Sequence, residues 1–157
     1  MQLRVIAVGT RMPVWVDAAF EDYSRRLRGT WKLELRELAP ASRRAAGGDG
    51  VAAMAQEARR ILPLLAPRDT VVPLDEHGAQ WSTLELSRWL AMRRGEGRDL
   101  AFVIGGPDGL ADSVLQRGQR TWSLSRLTLP HALARVLLAE QLYRAAMVLA
   151  GHPYHRA

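Results

Sequence analysis

Three short stretches of this chain carry the residues best able to do chemistry. The chain ends in His152-Pro153-Tyr154-His155-Arg156-Ala157, which crowds titratable, aromatic and cationic groups together. Chain ends are normally frayed and tolerant of change, so on the residues alone this concentration reads either as a working tail or as an ordinary chain end. The second stretch is Ser125-Arg126-Leu127-Thr128-Leu129-Pro130-His131. A proline at a helix start lacks only an N–H that would be unpaired anyway, and its φ already suits the helix. The turn therefore sets a histidine and free backbone N–H groups at a helix N-terminus beside a strand end. Ligands of α/β proteins bind in such places. The third is Gly105-Gly106-Pro107-Asp108-Gly109, directly after the apolar run Leu100–Ile104. Glycines there let the backbone approach a ligand or take positive φ, though a plain tight turn has the same composition.

The residue types also exclude chemistry. There is no cysteine, hence no disulfide, thiolate metal site or cysteine nucleophile. Neither GxGxxG after the first strand nor GxxxxGK[ST] occurs, which argues against the usual dinucleotide fold and the P-loop. His152 and His155 sit three apart in a proline-containing tail with no carboxylate near them in sequence, so no metal is expected. If the ends of Thr70–Leu74, Leu100–Ile104 and the run to Pro130 are neighbours, they make one pocket. It would offer mainly backbone donors and acceptors between apolar walls, which suits a purine ring better than a phosphate.

These stretches need a scaffold. Leu3–Val8 is nearly all apolar and reads as a strand buried on both faces, the signature of a parallel sheet. Pro13 opens a helix to about Leu27, with Trp15, Ala18, Ala19, Tyr23 and Leu27 on one face. Trp31–Leu38 alternates, as a half-exposed strand near an edge does. Pro40–Gly50, with Arg43 and Arg44, reads as a loop: a mobile arm on RNA phosphates, or simply surface. Asp49 caps a helix from Val51 to about Leu62. Thr70–Leu74 is a short strand whose Pro73 should lie near its end, and His77 falls in the loop after it.

Ser82-Thr83-Leu84-Glu85 is a capping box opening a helix to about Arg93. After strand Leu100–Ile104 come a short helix, Asp112–Arg117, a strand from Ser123, and a last helix over about Leu133–Ala150. That helix is apolar on more than one side, so it is a core helix that could also serve a dimer interface. Its Glu140, Gln141 and Arg144 then need partners. The alternation of strands and helices predicts an α/β fold with a mostly parallel sheet covered by helices on both faces.

The length of 157 residues suits one domain, 1–157. No apolar run is long enough to span a bilayer and no signal peptide opens the chain, so no membrane is expected and a cytoplasmic location is the simplest reading. The net charge is +6, and Lys32 is the one lysine among 22 basic residues. Arginine suits bidentate phosphate contacts and stacking on bases, so an RNA partner is one reading; an arginine-biased solvated surface is the other.

In combination the motifs carry a resemblance. VIGGPDGL (Val103–Leu110), SLSRLTLPHALARVLLAEQLYRA (Ser123–Ala145) and HPYHR (His152–Arg156), in that order and spacing, look like the ribosomal large subunit methyltransferase H family. The N-terminal VIAVGTRMPVWV is similar as well, and the resemblance covers the whole chain. Members are SPOUT-class enzymes that transfer methyl from S-adenosylmethionine to N3 of a pseudouridine in helix 69 of 23S ribosomal RNA, on the assembled ribosome. The resemblance implies a SPOUT-type α/β fold with a deep C-terminal trefoil knot, an exception to the rule against threaded chains. It implies a homodimer whose active sites are each completed by the other subunit. By motif position the cofactor contacts are Leu74, Gly106, Ser125, Arg126, Leu127, Thr128, Leu129 and Pro130. Tyr154, His155 and Arg156 are the implied catalytic and RNA-binding residues. No role carries onto Pro40–Gly50, the least family-like part.

Methyl transfer from a sulfonium is an in-line displacement, and an imide N3–H must lose its proton to become nucleophilic. A neutral histidine suits that task near pH 7, which makes His155 the expected base. Tyr154 could stack on the nucleobase and Arg156 could hold a phosphate. His131 is expected to organise the turn. Two alternatives stand beside this reading: a SPOUT methyltransferase acting on another RNA such as tRNA, and a non-catalytic basic module that binds ribosomes.

Overall fold

The computed structural model describes residues 1–42, 44 and 47–156, without the side chains of His155 and Arg156. Arg43 thus lies outside the described residues. Five parallel strands form one sheet in the order β2-β1-β4-β3-β5: β1 Gln2–Val8, β2 Lys32–Leu38, β3 Thr70–Gln80, β4 Leu100–Ile104 and β5 Trp122–Ser123. The helices are α1 Val14–Leu27, α2 Gly50–Ile61, α3 Thr83–Gly95, α4 Asp112–Leu115 and α5 His131–Leu149. A 3₁₀ turn at Pro153–Arg156 follows α5.

Side chains alternate across a strand, and each face of the sheet meets its own helices. Leu3, Val5, Ala7, Val72, Leu100, Phe102 and Ile104 pack with α1, α3 and α5. Ile6, Val8, Val71, Ala101 and Val103 pack with α2 and α4. The unbroken apolar runs of β1 and β4 are therefore two interleaved faces, as expected for a doubly covered parallel sheet. β2 lies at an edge, as its alternation predicts.

Local chemistry sets the boundaries. Asp49 accepts from Val51 N at 2.9 Å and starts α2. Ser82 and Glu85 exchange both hydrogen bonds of a capping box and start α3. Pro130, at φ −63°, immediately precedes α5, which begins two residues earlier than the apolar periodicity predicts.

Several expectations are corrected. β3 runs on to Gln80, so Pro73 is internal to it and His77 lies within the strand. The pairing explains this. Leu74 is the last β3 residue paired with β4, and both Leu74 and Ala79 register with Trp122 of β5, so Asp75–Gly78 bulge out. Asp75 Oδ1 accepts from His77 N at 2.9 Å inside the bulge. Gly78 is where β3 touches β5 again: a Cβ there would come within 2.7 Å of the Trp122 carbonyl carbon. β5 itself holds only two residues, and the run from Leu124 to Pro130 is irregular rather than strand. In α1 the buried residues are Val16, Phe20 and Leu27, while Trp15 is 55% exposed.

Candidate functional site

The pocket-forming stretches meet at the C-terminal rim of the sheet. Leu74 is flanked by Ile104 of β4 on one side and Trp122 of β5 on the other. The glycine loop leaves β4 at once: Gly109 N donates to Gly106 O at 3.0 Å, and a Cβ on Gly105 would lie 2.6 Å from Gly109 O. The loop is closed too tightly for side chains there. A Cβ on Gly106 would press on the buried carboxylate of Glu57, at 3.1 Å, and on Val8, at 3.3 Å. Glu57 Oε1 is held by Ala41 N at 3.0 Å.

The run 124–130 is tied at both ends. Upstream, Trp122 is buried and stacks on Trp81 with ring centroids 5.1 Å apart; Trp89 and Phe102 pack beside them. Ser123 Oγ donates to Ser125 O at 2.9 Å, and Ser125 Oγ accepts from Leu127 N at 2.9 Å. Downstream, His131 Nδ1 lies 3.0 Å from Gly105 O. The segment between is bowed outward, with Arg126, Leu127 and Thr128 exposed. Among the described residues, the backbone N–H groups of Arg126, Thr128 and Leu129 make no hydrogen bond. Unspent backbone donors are what a cradle for a neutral heterocycle or ribose requires. The backbone of this run thus fits an adenosine-bearing group.

The tail is elsewhere in the chain. Tyr154 packs edge-on against Tyr143, with centroids 4.7 Å apart, and Arg144 lies 4.9 Å over its ring. Its hydroxyl is 3.4 Å from Glu140 Oε1, which also accepts from Arg144 Nε at 2.8 Å. Burial, then the neighbouring Tyr23 hydroxyl, push the Tyr154 phenol up to about 12. It stays protonated at neutral pH and acts as a hydrogen-bond donor and ring, not as a base. Glu140 lies nine residues along α5 from His131, or about 14 Å at 1.5 Å per residue. One chain therefore brings Leu74, Gly106 and Ser125–Pro130 together and leaves Tyr154 well away from them. The side chains of His155 and Arg156 lie outside the described residues. Gln141, expected to need a partner, accepts from Thr83 Oγ1 at 2.7 Å.

Sequence reasoning missed Arg135, Glu37 and Glu57. Arg135 is fully buried, and its Nη2 donates to Gly9 O at 2.7 Å. Both partner residues had a signal. Glu37 continues the Leu33, Leu35 alternation on β2 but stands exposed near the strand's end, a carboxylate where the pattern calls for an apolar residue. Arg135 stands one helical turn after His131, a charge in the otherwise apolar stretch Ala132–Ala139 of α5.

Comparison with known proteins agrees with this architecture. Residues 1–155 match the family model described as a predicted SPOUT methyltransferase. A protein of Thiobacillus denitrificans named ribosomal RNA large subunit methyltransferase H is 54% identical over 156 residues, covering 99% of each chain. A Methylococcus capsulatus protein of the same name is 49% identical, covering 99% of this chain and 100% of its own. Among solved structures, a probable methyltransferase from Bordetella pertussis superposes with a TM-score of 0.54 at 20% identity, over 92% of this chain and 93% of that one. A probable methylase family protein from Haemophilus influenzae gives 0.58 at 13% identity, over 97% and 69%. With a rim of unspent backbone donors on a parallel sheet, and a family match over nearly its whole length, the chain belongs to the SPOUT methyltransferase family and is a methyltransferase enzyme.

Proposed function

We propose that this single-domain enzyme methylates N3 of a pseudouridine in helix 69 of 23S ribosomal RNA, on the assembled ribosome, using S-adenosylmethionine. The observation that carries the reading is the convergence of Leu74, Gly105-Gly106 and the 125–131 run at one rim, with backbone N–H groups unspent. The names of the relatives support ribosomal RNA as the substrate, and the net charge of +6, nearly all arginine, supports a polyanionic partner.

Bound at that rim, S-adenosylmethionine supplies an electrophilic methyl on a cationic sulfur. Leu74, Gly106 and Ser125, Arg126, Leu127, Thr128, Leu129 and Pro130 hold it, mostly through backbone atoms. A trefoil knot would be formed where the run to Pro130 passes the Gly105–Gly109 loop. The tail supplies the rest of the site: His155 takes the N3 proton, Tyr154 stacks on the nucleobase and Arg156 holds a phosphate. The separation of Tyr154 from the rim within one chain supports a homodimer in which the tail serves the partner's site. Trp15, 55% exposed, and Val14, 85% exposed, offer apolar surface for such pairing.

The test is mass spectrometry of ribosomal RNA. Ribosomes lacking the methyl group are incubated with this protein and S-adenosylmethionine, and a methyl is expected on the helix 69 pseudouridine. A methyl on tRNA instead, or none anywhere, rejects the proposal. Removing Tyr154–Ala157 should abolish transfer while leaving cofactor binding intact.

A further inference from the structure

Arg135 is the largest fully buried side chain among the described residues and has no part in the chemistry above. Its guanidinium is held at the rim. Nη2 donates to the Gly9 carbonyl after β1 at 2.7 Å, and Nη1 lies 3.1 Å from Glu37 Oε2 near the end of β2, an ion pair without hydrogen-bond geometry. Nε donates to His131 Nε2 at 2.8 Å. A guanidinium can only donate, so Nε2 must accept and the ring proton must sit on Nδ1. That proton is then donated to the Gly105 carbonyl, 3.0 Å away. One relay thus links the ends of β1, β2 and β4 to the first turn of α5.

We propose that Arg135 and His131 are positioning residues for methyl transfer, holding the Gly105-Gly106 wall and the Pro130 wall of the cofactor site at a set separation, and only while the imidazole is neutral. The inference rests on the placement of the S-adenosylmethionine site proposed above. Gly105 and Pro130 are the direct chain neighbours of Gly106 and His131, so the relay acts on the walls without touching the ligand. Protonation would put an N–H on Nε2 facing the N–H of Arg135, replacing a hydrogen bond with a donor-donor and cation-cation contact.

The charged groups facing the imidazole are Arg135, on its own helix, and Glu37, at the end of β2. The ends of β4 and β1 present backbone, the Gly105 carbonyl and Gly9 Cα. Burial and then Arg135 hold the His131 pKa below its ordinary 6.5, with the Gly105 carbonyl and Glu37 opposing.

The test is calorimetric titration of the full chain with S-adenosylmethionine between about pH 7.5 and about pH 5, the range over which a histidine changes charge. It compares the native protein with His131→Asn and His131→Leu. Asparagine keeps a donor close to the Nδ1 position and does not titrate. The native affinity should weaken as pH falls across the range, by up to about tenfold, the worth of one hydrogen bond. His131→Asn should lack that pH dependence, and His131→Leu should bind about tenfold more weakly than the native protein at the upper pH. Equal pH profiles for the native protein and His131→Asn overturn the proposal, as does native-like binding by His131→Leu. If His131→Leu does not fold, the comparison with His131→Asn decides alone. Absence of native binding at the upper pH is a different result: it rejects the cofactor site itself, and the relay's role with it.

Discussion

Replacing Gly78 with alanine tests whether the β3 bulge sets the geometry of the site. The added methyl would sit 2.7 Å from the Trp122 carbonyl carbon, 2.8 Å from Ser123 N and 2.8 Å from the Thr121 carbonyl carbon. All three are backbone atoms, so no side chain can swing aside. Ordinary carbon contacts begin near 3.5 Å, so β5 must retreat by roughly 0.8 Å. The hydrogen bond from Ala79 N to Thr121 O, now 3.0 Å, would then pass the limit of useful geometry. Losing it costs about 1 kcal/mol, and overpacking of a closed contact costs about 2 kcal/mol more. A loss of about 3 kcal/mol in a chain of this length lowers the melting midpoint by about 9 °C. Gly78 does not have positive φ, so the whole effect is spatial. Gly29→Ala is the control: nothing lies within 4 Å of its Cβ position and its φ is ordinary, so its midpoint should stay within about 2 °C of native. Differential scanning calorimetry reads both. Because β5 leads into Ser125–Pro130, Gly78→Ala should also weaken S-adenosylmethionine binding. A Gly78→Ala protein that melts with Gly29→Ala would refute the argument from close approach.

Other outcomes follow from the same geometry. Ser82→Ala removes one half of the α3 capping box and should cost about 1 kcal/mol in urea unfolding. Stability should also depend on pH through His131. Its folded pKa is depressed, so the unfolded chain binds the proton more readily; the contribution is present above 6.5 and is lost as pH falls below it. Urea midpoints for the native protein should drop over that range more steeply than those for His131→Asn. At the tail, Tyr154→Phe should retain most single-turnover methylation of ribosomes, since the phenol is protonated throughout and the proposed stacking uses the ring. Tyr154→Ala should lose about tenfold or more, the worth of one base–aromatic stack.

What the sequence could reveal follows from how local each cause is. The Asp49 cap, the Ser82–Glu85 capping box, Pro13 and Pro130 at helix starts and the doubly apolar β1 and β4 are written in neighbouring residues, and the element order follows from them. The extent of β3 is not. Read locally, Asp75-Glu76-His77-Gly78 is a turn; only the approach of β5 shows that the chain bulges and then resumes pairing. Trp15 failed for a related reason. An amphipathic helix assigns its face by majority, and Phe20 and Leu27 meet the α5 side of the core while Trp15 is left outside. The site divides in the same way. Gly106 and Ser125–Pro130 stand out through glycine, proline and hydroxyl spacing that a ligand cradle and a helix start both need. The relay behind them joins residues 9, 37, 105, 131 and 135, of which Gly105 and His131 stand out locally but not as partners. Yet its two charged members leave a trace. A glutamate where the alternation of Leu33 and Leu35 calls for an apolar residue, its side chain 33% exposed, and an arginine buried in the first turns of α5 are opposite charges, and the buried one requires a partner. With a parallel sheet granted, the end of β2 and the first turns of α5 lie on the same side, at the same rim. Pairing those two misfits predicts the Glu37–Arg135 contact, and with His131 one turn away it predicts where the rim is tied to the helix.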